Sequence, residues 1–170
     1  MATPPNTICC LNPDCLKPEN LSGAKDCSNC GKPLVILRNR YYPIKLISNQ
    51  GGFGRTYLAQ DIDRLNATCV IKQLAPQLQG TNALAIAQRL FEGEAEQLKK
   101  LGQNNQIPQL LAYFQENNHL YLVQEYVEGK TIDKITSQPW NETEIRDFLL
   151  DILPVLDFIH QNNVIHRDIK

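Results

Sequence analysis

The chain has almost no net charge, no long apolar run and no export-like start, and each absence removes a class of protein. Its 17 Lys and Arg residues balance 18 Asp and Glu to a net charge of −1. No basic surplus therefore exists to draw in nucleic acid or an anionic membrane surface. The longest apolar stretch, Phe148 to Ile159, is interrupted by Asp151, Pro154 and Asp157 and falls short of the ~20 residues a membrane-spanning helix needs. The start, Met1-Ala2-Thr3-Pro4-Pro5, has neither the basic segment nor the apolar core of a signal peptide. The expectation is a cytoplasmic protein with no membrane and no nucleic-acid partner. With 42% hydrophobic and 21% charged residues, 170 residues suit one ordinary domain plus a small module.

Cysteine is sparse overall and crowded at one end: five of the six residues precede position 31. Cys10 and Cys15 form a C-x4-C pair, Cys27 and Cys30 a C-x2-C pair, and eleven residues separate them. Two such turns can deliver four thiolates to one Zn²⁺, with Gly31 freeing the second turn to aim its amides at sulfur. The segment has few large apolar residues, so burial alone could not offset the entropy of ordering it, and a metal would be its core. A closed four-thiolate site is structural rather than catalytic. A disulfide pair and a redox-active Cys27-x-x-Cys30 are the alternatives. Cys9 could compete as a ligand, although the spacing to Cys15 favours Cys10. The module spans residues 1–37, and Arg38-Asn39-Arg40 is the joint to the rest, too short for a flexible linker.

Beyond the joint, Tyr42 to Ser48, Thr56 to Asp61 and Ala67 to Leu74 read as three strands. The first two are joined by Gln50-Gly51-Gly52-Phe53-Gly54. A tip with three glycines lets backbone amides approach phosphate oxygens, and Lys72 would set a positive charge beneath it. An ordinary tight hairpin has the same composition. From Asn82 to Leu101 a helical period follows, with Leu90, Glu94, Leu98 and Leu101 on one stripe. A carboxylate within an apolar stripe is costly unless paired, so Glu94 needs a cation. Leu110 to Gln115 and His119 to Tyr126 form a second hairpin around Glu116-Asn117-Asn118. Asn141-Glu142-Thr143-Glu144 starts a last helix through Ile145, Phe148, Leu149, Ile152, Leu156 and Ile159.

The chain closes on Val164-Ile165-His166-Arg167-Asp168-Ile169-Lys170. Glycine tip, strand lysine, helix glutamate and this His-Arg-Asp-x-Lys run, in that order, resemble the serine/threonine protein kinases. The resemblance runs from Tyr41 to the end. It implies an α+β fold: an N-lobe of antiparallel sheet plus one helix over about 41–127, then the first helices of a C-lobe over 128–170. A cysteine ribbon directly ahead of such a lobe resembles an arrangement found among cyanobacterial kinases.

Roles follow from the resemblance. Asp168 accepts the substrate hydroxyl's proton, and Lys170 stabilises the γ-phosphate and fits the serine/threonine class. Glu94 pairs with Lys72 and turns it toward the α and β phosphates. Arg167 pairs with a phosphorylated activation loop. In the family's Gly-x-Gly-x-x-Gly-x-Val pattern the matching positions are Asn49, Gly51, Gly54 and Thr56, with Asn49 and Thr56 as departures. Gly52 completes the tip, Phe53 is a lid over the phosphates, and Val70, the Gln124 gatekeeper and the backbones of Glu125 and Val127 meet adenine. The implied ligands are ATP, Mg²⁺ and Zn²⁺, and the implied partners are a Ser/Thr-containing protein substrate and a regulator of the ribbon. The family's Mg²⁺-holding Asn and Asp-Phe-Gly would lie past Lys170, so the resemblance implies an N-terminal fragment of a kinase, inactive alone. The competing functions are a non-catalytic ribbon and nucleotide-lobe binding module, and a thiol redox sensor.

Overall fold

A computed structural model describes residues 5–49, 54–75, 81–135 and 138–166. Gly51, Gly52, Phe53, Arg167, Asp168 and Lys170 lie outside the described residues. The cysteine segment holds a two-stranded antiparallel ribbon, β1 (Thr7–Cys9) and β2 (Glu19–Leu21). A five-stranded sheet follows, built from β3 (Tyr41–Ser48), β4 (Gly54–Asp61), β5 (Ala67–Leu74), β6 (Leu110–Glu116) and β7 (His119–Glu125). Its order is β3-β4-β5-β7-β6 and every pairing is antiparallel. Among the described residues three α-helices complete the fold: α1 (Thr81–Leu101) between β5 and β6, then α2 (Ile132–Ile135) and α3 (Glu142–Gln161). The α+β architecture is the one the sequence implies. Among the described residues no helix is long and apolar enough to cross a membrane.

Strand β4 shows why the sheet forms. Its residues alternate strictly between half-buried and buried, so Arg55, Tyr57, Ala59 and Asp61 share one face and Gly54, Thr56, Leu58 and Gln60 the other. Pro43 lies in β3 at the sheet edge, where a missing N–H is tolerated, and the pairing slips by one residue just after it. The β6–β7 hairpin turns through Asn117 and Asn118, both left-handed (φ 48° and 63°), as a two-residue turn requires.

Each face of the sheet has its own core. On one, Tyr57, Ala59, Cys69, Ile71, Phe114, Tyr121 and Val123 pack with Tyr41 and with Cys9, Leu11 and Leu37 of the cysteine segment. Phe114 stacks between Tyr41 (6.0 Å) and Tyr121 (5.5 Å), and the Arg38 guanidinium sits 4.2 Å above its ring. On the other face, Leu74 and Leu122 pack against Ala87, Phe91 and Ala95 of α1. The 38–40 joint is an ordered turn. Arg38 and Asn39 are left-handed, the Arg38 N–H donates to Glu116 (2.9 Å), and Arg40 forks onto the buried Asp61 at 2.7 and 2.8 Å.

Helix α1 corrects the expected stripe by one position. Leu90 is 52% exposed, and Phe91 is buried in its place, because the inward positions are Ala87, Phe91, Ala95 and Leu98. Glu94 flanks that face, while Glu92 and Glu96 are exposed as expected. In α3 the expected capping box is formed in full: Asn141 accepts the Glu144 N–H (3.0 Å) and Glu144 accepts the Asn141 N–H (2.8 Å). Ile145, Leu149, Leu150 and Leu153 of this helix are exposed.

Candidate functional site

Cross-strand register gathers the predicted base and phosphate residues. Thr56 pairs with Lys72, Leu58 with Val70, and Val70 in turn with Gln124. Opposed residues of an antiparallel sheet project to the same side, so Thr56, Val70, Lys72 and Gln124 all stand on the α1 face. Each is half-buried. From α1, Glu94 reaches across to form an ion pair with Lys72 Nζ. The lysine is 32% exposed and the glutamate 40%, so the pair opens onto solvent and can meet a ligand.

The amide oxygen of Gln124 is buried and has no donor among the described residues, which suits a ligand bearing an N–H. The Glu125 N–H already donates to Gln109 O (2.9 Å), which leaves its carbonyl as the backbone group there for the expected base contact. Asn49 and Val127 are exposed. Gly54, the one tip glycine described, is demanded by close approach: a Cβ there would lie 1.8 Å from Gln73 O. His166 is exposed at the entrance to the expected catalytic loop.

The second centre is made of sulfur. The Sγ atoms of Cys10, Cys15, Cys27 and Cys30 all lie within 4.8 Å of one another, with Cys10···Cys30 and Cys15···Cys27 at 3.7 Å. Four sulfurs at ~2.3 Å from a tetrahedral Zn²⁺ would stand ~3.8 Å apart, whereas a disulfide needs ~2.05 Å. The donor set and its spacing therefore fit zinc and not a disulfide pair. Gly31 is left-handed (φ 67°) and donates to Cys27 O at 2.8 Å, closing the second turn. Around the sulfurs, Asn12 N–H faces Cys10 (3.4 Å), Asn29 Nδ2 faces Cys15 (3.4 Å) and Asn20 Nδ2 faces Cys27 (3.5 Å). Burial pushes the Cys27 thiol up, but the Cys30 and Asn29 amides and Asn20 outweigh it and bring it down to about 6. Cys9 is apart from the four. It is buried in the sheet core, where desolvation and then Glu19 push its thiol up to about 12.

Two further residues were missed by the sequence reading. Arg55, 9% exposed, donates to the carbonyls of Asn12 (3.1 Å) and Cys15 (2.9 Å). Gln73 donates to Leu11 O (2.8 Å) and Tyr121 OH (3.2 Å), and accepts from Tyr57 OH (3.1 Å). A cation and an amide at inward-facing strand positions were the available signal.

A half-open lysine–glutamate pair on a five-stranded antiparallel sheet with one crossing helix is the architecture of a protein-kinase-like N-lobe. The family profile described as "Protein kinase domain" matches residues 47–170, and the chain belongs to that family. Its relatives include bacterial serine/threonine kinases. It is 43% identical over 165 residues to "Serine/threonine-protein kinase B" of Synechocystis sp., a match covering 95% of this chain and 28% of that protein. It is 44% identical over 139 residues to "Serine/threonine-protein kinase PknA" of Nostoc sp., covering 79% of this chain and 24% of that one. Among solved structures, "PpkA-294 apo form" aligns with a TM-score of 0.65 and 26% identity, over 78% of this chain and 52% of that one. The chain thus spans about a quarter of the length of these curated relatives.

Proposed function

We propose that this chain carries the nucleotide lobe of an ATP-dependent serine/threonine protein kinase, preceded by a structural zinc ribbon. The division falls at the joint, with the ribbon over 1–37 and the kinase domain over 41–170. The observation that carries the kinase reading is the Lys72–Glu94 ion pair on the face shared by Thr56, Val70 and Gln124. Phosphoryl transfer asks a protein mainly for positioning and charge neutralisation. Glu94 holds Lys72 extended along the open face, where its ammonium neutralises phosphate oxygens. Gly54, with Gly51, Gly52 and Phe53, covers those phosphates, while Gln124, the Glu125 carbonyl and Val127 edge the base. Asp168 orients the hydroxyl of a protein serine or threonine and takes its proton, and Lys170 steadies the γ-phosphate. Mg²⁺, when bound, supplies further charge neutralisation.

Zn²⁺ would be held by Cys10, Cys15, Cys27 and Cys30, and its chemistry there is to fix two turns, since four thiolates leave no open coordination position.

The test is transfer of labelled γ-phosphate from Mg²⁺-ATP to a generic serine/threonine protein substrate, by this chain and by the chain extended through its next reading frame. Transfer that Asp168→Asn and Lys72→Met both abolish supports the kinase reading. ATP binding without transfer in either form would favour the non-catalytic binding module.

A further inference from the structure

We propose that Arg55 and Gln73 are positioning residues that tie Gly54 and Lys72 to the metal state of the first cysteine turn. This rests on reading the Gly54–Lys72 face as a nucleotide site and the four thiolates as a metal centre. Arg55 and Gln73 are direct cross-strand partners, and their register step lies between Gly54↔Leu74 and Thr56↔Lys72. Arg55 directly follows Gly54, the last glycine of the tip, and Gln73 directly follows the strand lysine. Yet the two side chains leave by the opposite face. There they grip the carbonyls of Leu11, Asn12 and Cys15, all within the C-x4-C turn that runs from Cys10 to Cys15.

The clamp binds in both directions. A buried guanidinium that loses two carbonyl acceptors cannot stay where it is without a heavy desolvation cost. If the turn opens when the metal leaves, Arg55 must therefore move, and β4 moves at the residue following Gly54. Gly54 itself touches the Gln73 backbone so closely that no Cβ fits between them, so a displacement of Gln73 is passed to Gly54 rather than absorbed. Packed contacts of this kind have discrete arrangements instead of yielding smoothly. With the metal bound, Gly54 and Lys72 are held in one register. Without it, the nucleotide must bear the cost of ordering them.

Linkage then requires reciprocity: whatever factor the metal adds to nucleotide affinity, the nucleotide adds to metal affinity. The experiment uses the whole chain and a fluorescent ATP analogue with Mg²⁺. Its dissociation constant is measured with Zn²⁺ loaded and after chelator stripping. Zn²⁺ affinity is measured by competition with a chromogenic chelator, with and without saturating nucleotide. Stripping should weaken analogue binding by roughly 5–50-fold, and nucleotide should raise Zn²⁺ affinity by the same factor. In Arg55→Met the analogue should bind weakly even with Zn²⁺ present, and both factors should shrink below about twofold. Arg55→Lys, which keeps the charge but cannot span two carbonyls, should fall between.

The proposal is overturned if Arg55→Met keeps the wild-type metal dependence, or if the two wild-type factors are both near one. Tight binding of the analogue regardless of metal removes the coupling alone. No binding by zinc-loaded wild type removes the nucleotide-site reading and the coupling with it. Should Arg55→Met fail to fold, as read by its thermal transition, Arg55→Lys and Gln73→Leu decide by the same two ratios.

Discussion

The two faces of the five-stranded sheet are closed by different means. One is sealed by the cysteine segment, and Tyr57, Ile71, Gln73, Tyr121 and Val123 on it are at most 2% exposed. The other is covered by α1 only in part, leaving Thr56, Val70, Lys72 and Gln124 half-buried. On the sealed face Gln73 makes three hydrogen bonds. On the open face the Gln124 oxygen lacks a donor among the described residues. Tyr41 OH in the sealed core likewise lacks a partner among the described residues, so what separates the faces is the exposure of Lys72 and Glu94. Mutations on the first should therefore cost stability, and mutations on the second should cost binding and transfer.

The largest expected loss comes from the sulfur centre. The segment it orders contributes Cys9, Leu11 and Leu37 to the sealed core, so losing the centre uncovers sheet as well as ribbon. Cys27→Ser, or stripping Zn²⁺ with a chelator, should lower the thermal midpoint by about 10 °C or more. Calorimetry with and without added Zn²⁺ checks this. A midpoint indifferent to the metal would mean that apolar packing alone holds the seal.

Next comes Phe114→Ala, which removes the ring between Tyr41 and Tyr121 and the platform under Arg38. Phe→Ala in a core typically costs ~3–5 kcal/mol, and urea denaturation should read a loss of about that size. Phe91→Ala on the α1 side tests the contrast. Phe91 is buried but lies on the one helix that covers this face only in part, so its loss should be smaller, about 2–3 kcal/mol.

What the sequence disclosed and what it withheld divide along the same line. Alternation marked the strands, and a carboxylate near an apolar stripe demanded a cation, which Lys72 supplies. Thiolate spacing picked Cys10 over Cys9. These are local rules whose partners lie within a turn, a hairpin or one helix face. Phe91 rather than Leu90 was lost to a single-residue phase, because both are large and apolar and only the tilt of α1 against β5 and β6 decides between them. Arg55 and Gln73 were illegible for a deeper reason. Their carbonyl acceptors lie 40 to 62 residues away, and carbonyls have no side-chain signature. Only the docking of ribbon on sheet brings them together.

A smaller effect is expected at Asp61, where the sealed face meets the joint. The carboxylate is fully buried under the Arg40 fork, and that guanidinium holds it below the usual carboxylate range. A depressed folded pKa gives stability that is present above the unfolded value, ~3.9, and is lost as pH falls through the folded one. Asp61→Asn should cost about 2 kcal/mol at neutral pH, less than the ~3–5 of a fully buried pair because Arg40 keeps a third of its surface. The gap between wild type and variant should close as pH drops below roughly 4. Parallel acid titrations that never converge would sink this assignment.

The smallest stability effect belongs to the pair on which the open face depends. Lys72 and Glu94 are joined by an ion pair, but both are about a third exposed or more, and such pairs contribute only ~0–1 kcal/mol. Glu94→Gln keeps the shape and loses the charge. Its denaturation midpoint should therefore stay within about 0.5 kcal/mol of wild type, while the affinity for Mg²⁺-ATP falls several-fold because Lys72 is no longer held along the face. Lys72→Met should remove more, since the phosphates lose the cation itself. The two readouts must separate for the comparison of faces to hold. If Glu94→Gln unfolded the chain as Phe114→Ala should, the pair would be a structural clasp for α1, and the open face would be no more than an incompletely covered core.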